Sequence, residues 1–156
     1  MFEVFDWLEM TWIGQTIRES LWLFPVIEAV HLLALAVLGG AVLIVDLRLL
    51  GVGIQTSTPA EVAQRAQPIL ILGIVGLLST GIPLFLSEAI KCYYNQSFWV
   101  KMIGLSLILL FTFTWRKRYL SSATSLTVEN LGKMTAAVSM GMWFLVAAAG
   151  RWIGFS

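Results

Sequence analysis

LWLFPVIEAVHLLALAVLGGAVLIV, residues 21–45, decides what kind of protein this is. Only Glu28 and His31 interrupt its apolar character. A helix rises about 1.5 Å per residue, so a stretch of this length crosses the roughly 30 Å hydrocarbon core of a bilayer with some length to spare. It also holds the sole histidine of the chain, three residues after a glutamate. Residues at that spacing share a helix face. Ionisable groups inside a membrane span are costly to insert and mark function by default.

Working outward, the composition is that of an integral membrane protein with one domain, residues 1–156. Of the 156 residues, 58% are hydrophobic and 12% charged, against about 25% charged in soluble domains. A net charge of +1 provides no basic stripe able to compete for phosphates, which argues against nucleic acid as a partner. Cys92 stands alone, so neither an intrachain disulfide nor a cysteine metal cluster is expected, and the sequence assigns it no role. Glu3, Asp6 and Glu9 occupy the region where a signal peptide needs positive charge, so no segment is expected to be removed.

Phe2, Phe5, Leu8, Trp12, Ile13 and Ile17 recur at roughly helical spacing and predict an amphipathic helix over residues 1–20, lying in the membrane interface. Ser20 is placed to cap the helix that follows. Spans are predicted at about 21–46, 68–88, 98–115 and 134–150. Asp46 and Arg48 mark the membrane edge after the first span, and Gly51 to Pro59 reads as a polar loop. Glu61 to Gln67 reads as a short approach helix. Gly73, Gly76 and Gly81 suit close helix contact in the second span, and Pro83 predicts a kink. Arg116, Lys117 and Arg118 stop the third span, and Ser121 to Asn130 reads as a second polar loop. The fold class is therefore all-α: an antiparallel four-helix bundle in the bilayer, preceded by the interfacial helix. Four spans put both termini on one side. The loops after the first and third spans hold Arg48, Arg65, Arg116, Lys117, Arg118 and Lys133, so the positive-inside rule places the termini in the periplasm of a bacterial inner membrane.

That topology gathers Glu28, His31, Glu88, Lys91, Lys101 and Arg151 at the outer end. A polar pocket bounded by Trp22, Trp99 and Trp152 is expected there, in which Lys101 and Arg151 approach Glu28 or Glu88. Asp46, Arg48 and Glu88 are candidates for structural charge pairs. On the plainer reading, Lys101 and Arg151 snorkel to the headgroups and Glu88 caps a helix end. His31 suits haem iron, which takes an imidazole and often a second His or a Met. Met102, Met140 and Met142 are the thioethers at hand, and a second histidine would come from another copy of the chain. The Glu28-x-x-His31 spacing also matches half of a carboxylate di-metal bundle, which again asks for a homo-oligomer. No serine or cysteine has a visible base partner, and there is no phosphate loop or dinucleotide fingerprint, so no catalytic residue is assigned.

WLFPVIEAVHLLALAVLGGAVLIVDLRLLG (22–51), FWVKM (98–102) and GRWIGF (150–155) together resemble an uncharacterised family of small bacterial inner-membrane proteins. More remotely, the chain is similar to the membrane-bound protoporphyrinogen oxidase of the haem pathway and to the copper-resistance D membrane proteins. In the oxidase family an early-span His is followed by an Arg-Leu pair and by a Lys entering a later span. His31, Arg48-Leu49 and Lys101 hold comparable places here. That resemblance implies a haem b site at His31 supported by Lys101. The oxidase family's further histidines are missing, which leaves the far face of the iron to Met, to water or open. The likeness to the copper proteins implies His31 as a copper ligand. The resulting readings are a haem protein that exchanges electrons with a quinone or another partner, a structural or assembly subunit whose charge pairs lock helices together, and a copper-handling protein.

Overall fold

Thr11 divides the amino-terminal stretch in two. Its hydroxyl donates to the Leu8 carbonyl at 2.7 Å and accepts the Gly14 N–H at 3.4 Å. One helix thus ends and another begins where the hydrophobic spacing predicted a single element. In the computed structural model, which describes residues 2–53, 56–118 and 127–153, the elements are α1 (Phe2–Glu9), α2 (Trp12–Glu19), α3 (Leu23–Leu49), α4 (Pro59–Ser87), α5 (Ala89–Tyr94), α6 (Gln96–Phe111) and α7 (Thr127–Ile153). A π-helical turn, Thr112–Arg116, prolongs α6. No strand occurs among the described residues. The expected second polar loop lies largely outside them.

Among the described residues, four helices are long and apolar enough to cross a membrane: Leu23–Leu49, Pro59–Ser87, Gln96–Arg116 and Asn130–Trp152. Ser20 launches the first, its hydroxyl accepting the N–H groups of Trp22 and Leu23 at 3.4 and 3.2 Å. The second begins earlier than its apolar run suggests. Thr58 Oγ1 accepts the Glu61 N–H at 3.3 Å and Glu61 Oε2 accepts the Thr58 N–H at 2.8 Å, a reciprocal cap that starts α4 at Pro59. The predicted approach helix and second span are then one continuous helix of 29 residues, with Pro68 and Pro83 inside it.

Glycine sets how closely these helices approach. A Cβ at Gly73 would lie 2.8 Å from the Leu38 Cβ, and one at Gly76 would lie 2.9 Å from the Ala34 Cβ, so α3 and α4 pack at a spacing that side chains would forbid. On α6, Gly104 makes the same allowance for Val146 of α7. α3 also packs against α7, which joins the α3–α4 pair to the α6–α7 pair. Leu38, Val42, Val45, Ile108, Ala136 and Val146 form the apolar centre. Large apolar side chains such as Leu33, Leu72 and Phe144 are exposed along the outside, as suits a surface covered by lipid.

The amino-terminal helices close one end. α2 lies across α4, burying Gly14 and Ile17, and a Cβ at Gly14 would come within 2.5 Å of the Leu86 carbonyl oxygen. α1 rests on α5, where Phe5 meets Phe85, Tyr93 and Trp99, and Phe85 stacks on Phe98 at 5.6 Å. Glu9 interrupts the apolar pattern for a structural reason: it pairs with Arg18 and accepts the Ile90 N–H at 2.7 Å, tying α1, α2 and α5 together.

Candidate functional site

His31 stands on α3 facing α4. Its Nδ1 lies 2.8 Å from Thr80 Oγ1, which in turn lies 2.6 Å from the Gly76 carbonyl oxygen. A carbonyl only accepts, so the single hydroxyl hydrogen of Thr80 goes to Gly76. Thr80 Oγ1 must then accept, and the proton it receives is the one on Nδ1. The hydrogen bond therefore selects the tautomer: Nδ1 carries the hydrogen and Nε2 presents its lone pair. Gly81 makes room for the ring, since a Cβ there would lie 3.2 Å from His31 Cε1.

Lys101 approaches from α6. Its stem runs over Gly150 of α7, where a Cβ would sit 3.6 Å from both Cδ and Cε. Among the described residues no carboxylate forms an ion pair with its ammonium, and its charge reaches His31 and Cys92. The remaining residues of the expected pocket are placed differently. Glu28 is exposed, Met102 is 42% exposed on α6, and Arg151 is exposed near the end of α7. Glu88 pairs with its neighbour Lys91 at 3.6 Å. Trp22, Trp99 and Trp152 are exposed as well. Of the residues singled out at this end, Glu28, Lys91, Met102 and Arg151 are exposed, whereas His31, Lys101 and Glu88 are half-buried.

Beside them on α5, burial pushes the Cys92 thiol up to about 11, with the Glu88 carboxylate adding to the effect. No group of three or more His, Cys, Asp or Glu among the described residues could hold a metal ion. Apolar grooves mark the surface of the described residues. One of about 500 Å³ is lined by Val100, Phe144, Leu145 and Trp152, and another of about 390 Å³ by Val37, Gly40, Val62 and Ile69. His31 lines neither.

The opposite end holds what the sequence did not reveal. Asp46 and Arg116, both expected at the membrane edge, are buried and paired at 3.4 Å. Ser139 of α7 lies beside the Asp46 carboxylate without hydrogen-bond geometry, and Thr112 and Trp143 are buried in the same region. Arg48 is held separately, its Nε donating to the Ser57 carbonyl at 2.7 Å. One signal was present in the sequence: Leu47, Leu49 and Leu50 continue the apolar run beyond Asp46, so the span does not end there.

A family described as "Family of unknown function (DUF6644)" matches residues 4–156. No curated protein and no solved structure matches the chain.

Proposed function

The chain belongs to that family, and we propose that it is a haem-binding, electron-transferring protein of the bacterial inner membrane. The observation that carries the reading is the His31–Thr80 hydrogen bond at 2.8 Å, which leaves the lone pair of Nε2 free to bind a metal. A ring whose Nδ1–H is held by a neighbouring oxygen is oriented and made more basic for metal ligation at the other nitrogen. Haem, when bound, supplies one-electron chemistry. Of the residues present, His31 would hold that group through Nε2, Thr80 would orient the ring, and Gly81 leaves the imidazole space. Lys101, which has no carboxylate partner among the described residues, would neutralise an anionic group of the cofactor. Met102 is exposed, so it would not join His31 in holding the group.

The same reading places the four spans as an antiparallel bundle with α1 and α2 at the periplasmic surface, close to the haem end. Lys117, Arg118, Arg65 and Lys133 then face the cytoplasm, and the electron partner is a quinone or a second membrane protein. An absorption spectrum of the purified full-length protein tests the proposal. A Soret band that His31→Ala abolishes is the expected result. A colourless preparation from cells well supplied with haem overturns it, and the structural reading then stands, with His31 serving to tie α3 to α4.

A further inference from the structure

The groove between α3 and α4 is an opening that the two helices leave between them. Ala41 and Val62 are buried at its floor, and Val37, Ile44 and Ile69 are exposed along its walls. Its volume of about 390 Å³ lies in the range of small-molecule sites. Gly40 keeps it open. A Cβ there would meet nothing within 4 Å, whereas one at Gly73 or Gly76 would run into α3. From Ala36 to Ile44 the groove follows α3 for eight residue steps, about 12 Å of helix. The opening is therefore elongated and apolar, and its walls face outward, where membrane-spanning helices meet lipid tails.

One end differs in chemistry. Ser57 and Arg65 line the groove on the side of the loop that joins α3 to α4. Arg48 stands beside them, since its Nε donates to the Ser57 carbonyl at 2.7 Å. Among the described residues neither arginine forms an ion pair. Glu61, one turn before Arg65, is committed to the cap of α4, where its Oε2 accepts the Thr58 N–H at 2.8 Å. Two guanidinium groups against one carboxylate leave this end positive. A guanidinium presents a fork of donors that matches phosphate oxygens, and basic pockets between membrane spans hold the headgroups of anionic lipids. We propose that the α3–α4 groove binds an anionic phospholipid, with an acyl chain along Gly40 and the phosphate at Arg48 and Arg65.

A second copy of the chain is the competing occupant of such a face. The two-fold axis of a membrane dimer runs along the bilayer normal, so each residue at the contact meets its own counterpart at one depth. Arg65 would then approach Arg65 and Arg48 would approach Arg48, and like charges oppose that contact. The same charges favour the lipid. The charged end of the groove points away from His31 along α3, and the site does not rest on the cofactor reading.

Native mass spectrometry of the full-length protein, titrated in neutral detergent with phosphatidylglycerol or with phosphatidylethanolamine of the same chains, tests the proposal. One phosphatidylglycerol is expected to bind at least tenfold more tightly than phosphatidylethanolamine. Arg65→Gln, a change at an exposed side chain, is expected to remove that preference. Gly40→Leu, which fills the groove, is expected to weaken phosphatidylglycerol binding at least tenfold, and inorganic phosphate should not displace the lipid. Equal binding of the two lipids by the wild type overturns the proposal, as does a preference that survives Arg65→Gln. Displacement by inorganic phosphate overturns it too, because the groove would then contribute nothing. If Gly40→Leu turns a dimer into a monomer and leaves lipid binding unchanged, the groove belongs to a second copy and the proposal fails. Should Gly40→Leu not fold, the Arg65→Gln comparison decides alone.

Discussion

The Arg116 guanidinium and the Asp46 carboxylate stand 3.4 Å apart with 4% and 0% of their side chains exposed. Burying two charges together is close to neutral beside an apolar pair of similar volume, but removing one of them strands the other. Asp46→Leu or Arg116→Met alone is therefore expected to cost about 3–5 kcal/mol, and the double variant Asp46→Leu/Arg116→Met to recover most of it. Unfolding of the three variants in detergent, followed by circular dichroism, checks this. Additive losses in the double variant would show that the two charges act independently.

Thr80 offers a sharper test of the histidine than the histidine itself. Thr80→Val keeps the shape and removes the acceptor for Nδ1–H. Loss of a partner of this kind typically costs 10- to 100-fold in metal affinity. A haem titration should register a drop of about that size while helicity stays unchanged. Unaltered affinity would mean that the Nδ1 hydrogen bond plays no part in ligation.

The glycines divide into two sets that should behave oppositely. Gly73→Ala brings a Cβ to 2.8–3.0 Å from Leu38, including its backbone, and forces α3 and α4 apart. Overpacking of this sort costs about 1–3 kcal/mol. At Gly39, Gly40 and Gly141 a Cβ would meet nothing within 4 Å, so alanine there should be neutral or stabilising by up to about 1 kcal/mol. Melting temperatures in one detergent compare the two sets directly.

Cys92 should titrate late. Burial first, and then the Glu88 carboxylate, raise its pKa from 9.0 to about 11. At pH 8 the thiol is protonated, so maleimide labelling should be slow and should climb as pH approaches 11 rather than 9. The linked stability effect has a definite sign. The folded chain keeps a proton that the unfolded chain gives up, so stability from this group is complete below pH 9 and declines as pH rises through 11. Glu88→Gln should bring the labelling midpoint down, and a midpoint near 9 in the wild type would contradict the buried environment of the thiol.

The four spans were legible in the sequence because each is a long apolar run, and such a run reads the same whatever it packs against. Boundaries were less legible. The Thr58–Glu61 cap starts α4 nine residues before the predicted span, and Thr11 splits the interfacial helix, because short side-chain hydrogen bonds override hydrophobic spacing. His31 stood out because it is the sole histidine. Its companion was misjudged: residues three apart differ by about 60° around a helix, enough for His31 to reach Thr80 while Glu28 stays exposed. The sequence marked Asp46 as a candidate for a charge pair but not Arg116 as its partner. Each residue looked like a membrane-edge charge, and nothing local to either one specifies a partner seventy positions away.

The π-helical turn at the end of α6 holds an extra residue, and that residue sets the reading frame for everything after it. Wound as a regular α-helix of the same length, the segment would carry Arg116 about 40° around the axis past Thr112 and away from Asp46. Insertion and deletion history should record this constraint. A relative shorter by one residue in this segment could keep both charges facing each other on a regular α-helix, whereas a relative of equal length that keeps both should keep the π-helical turn too.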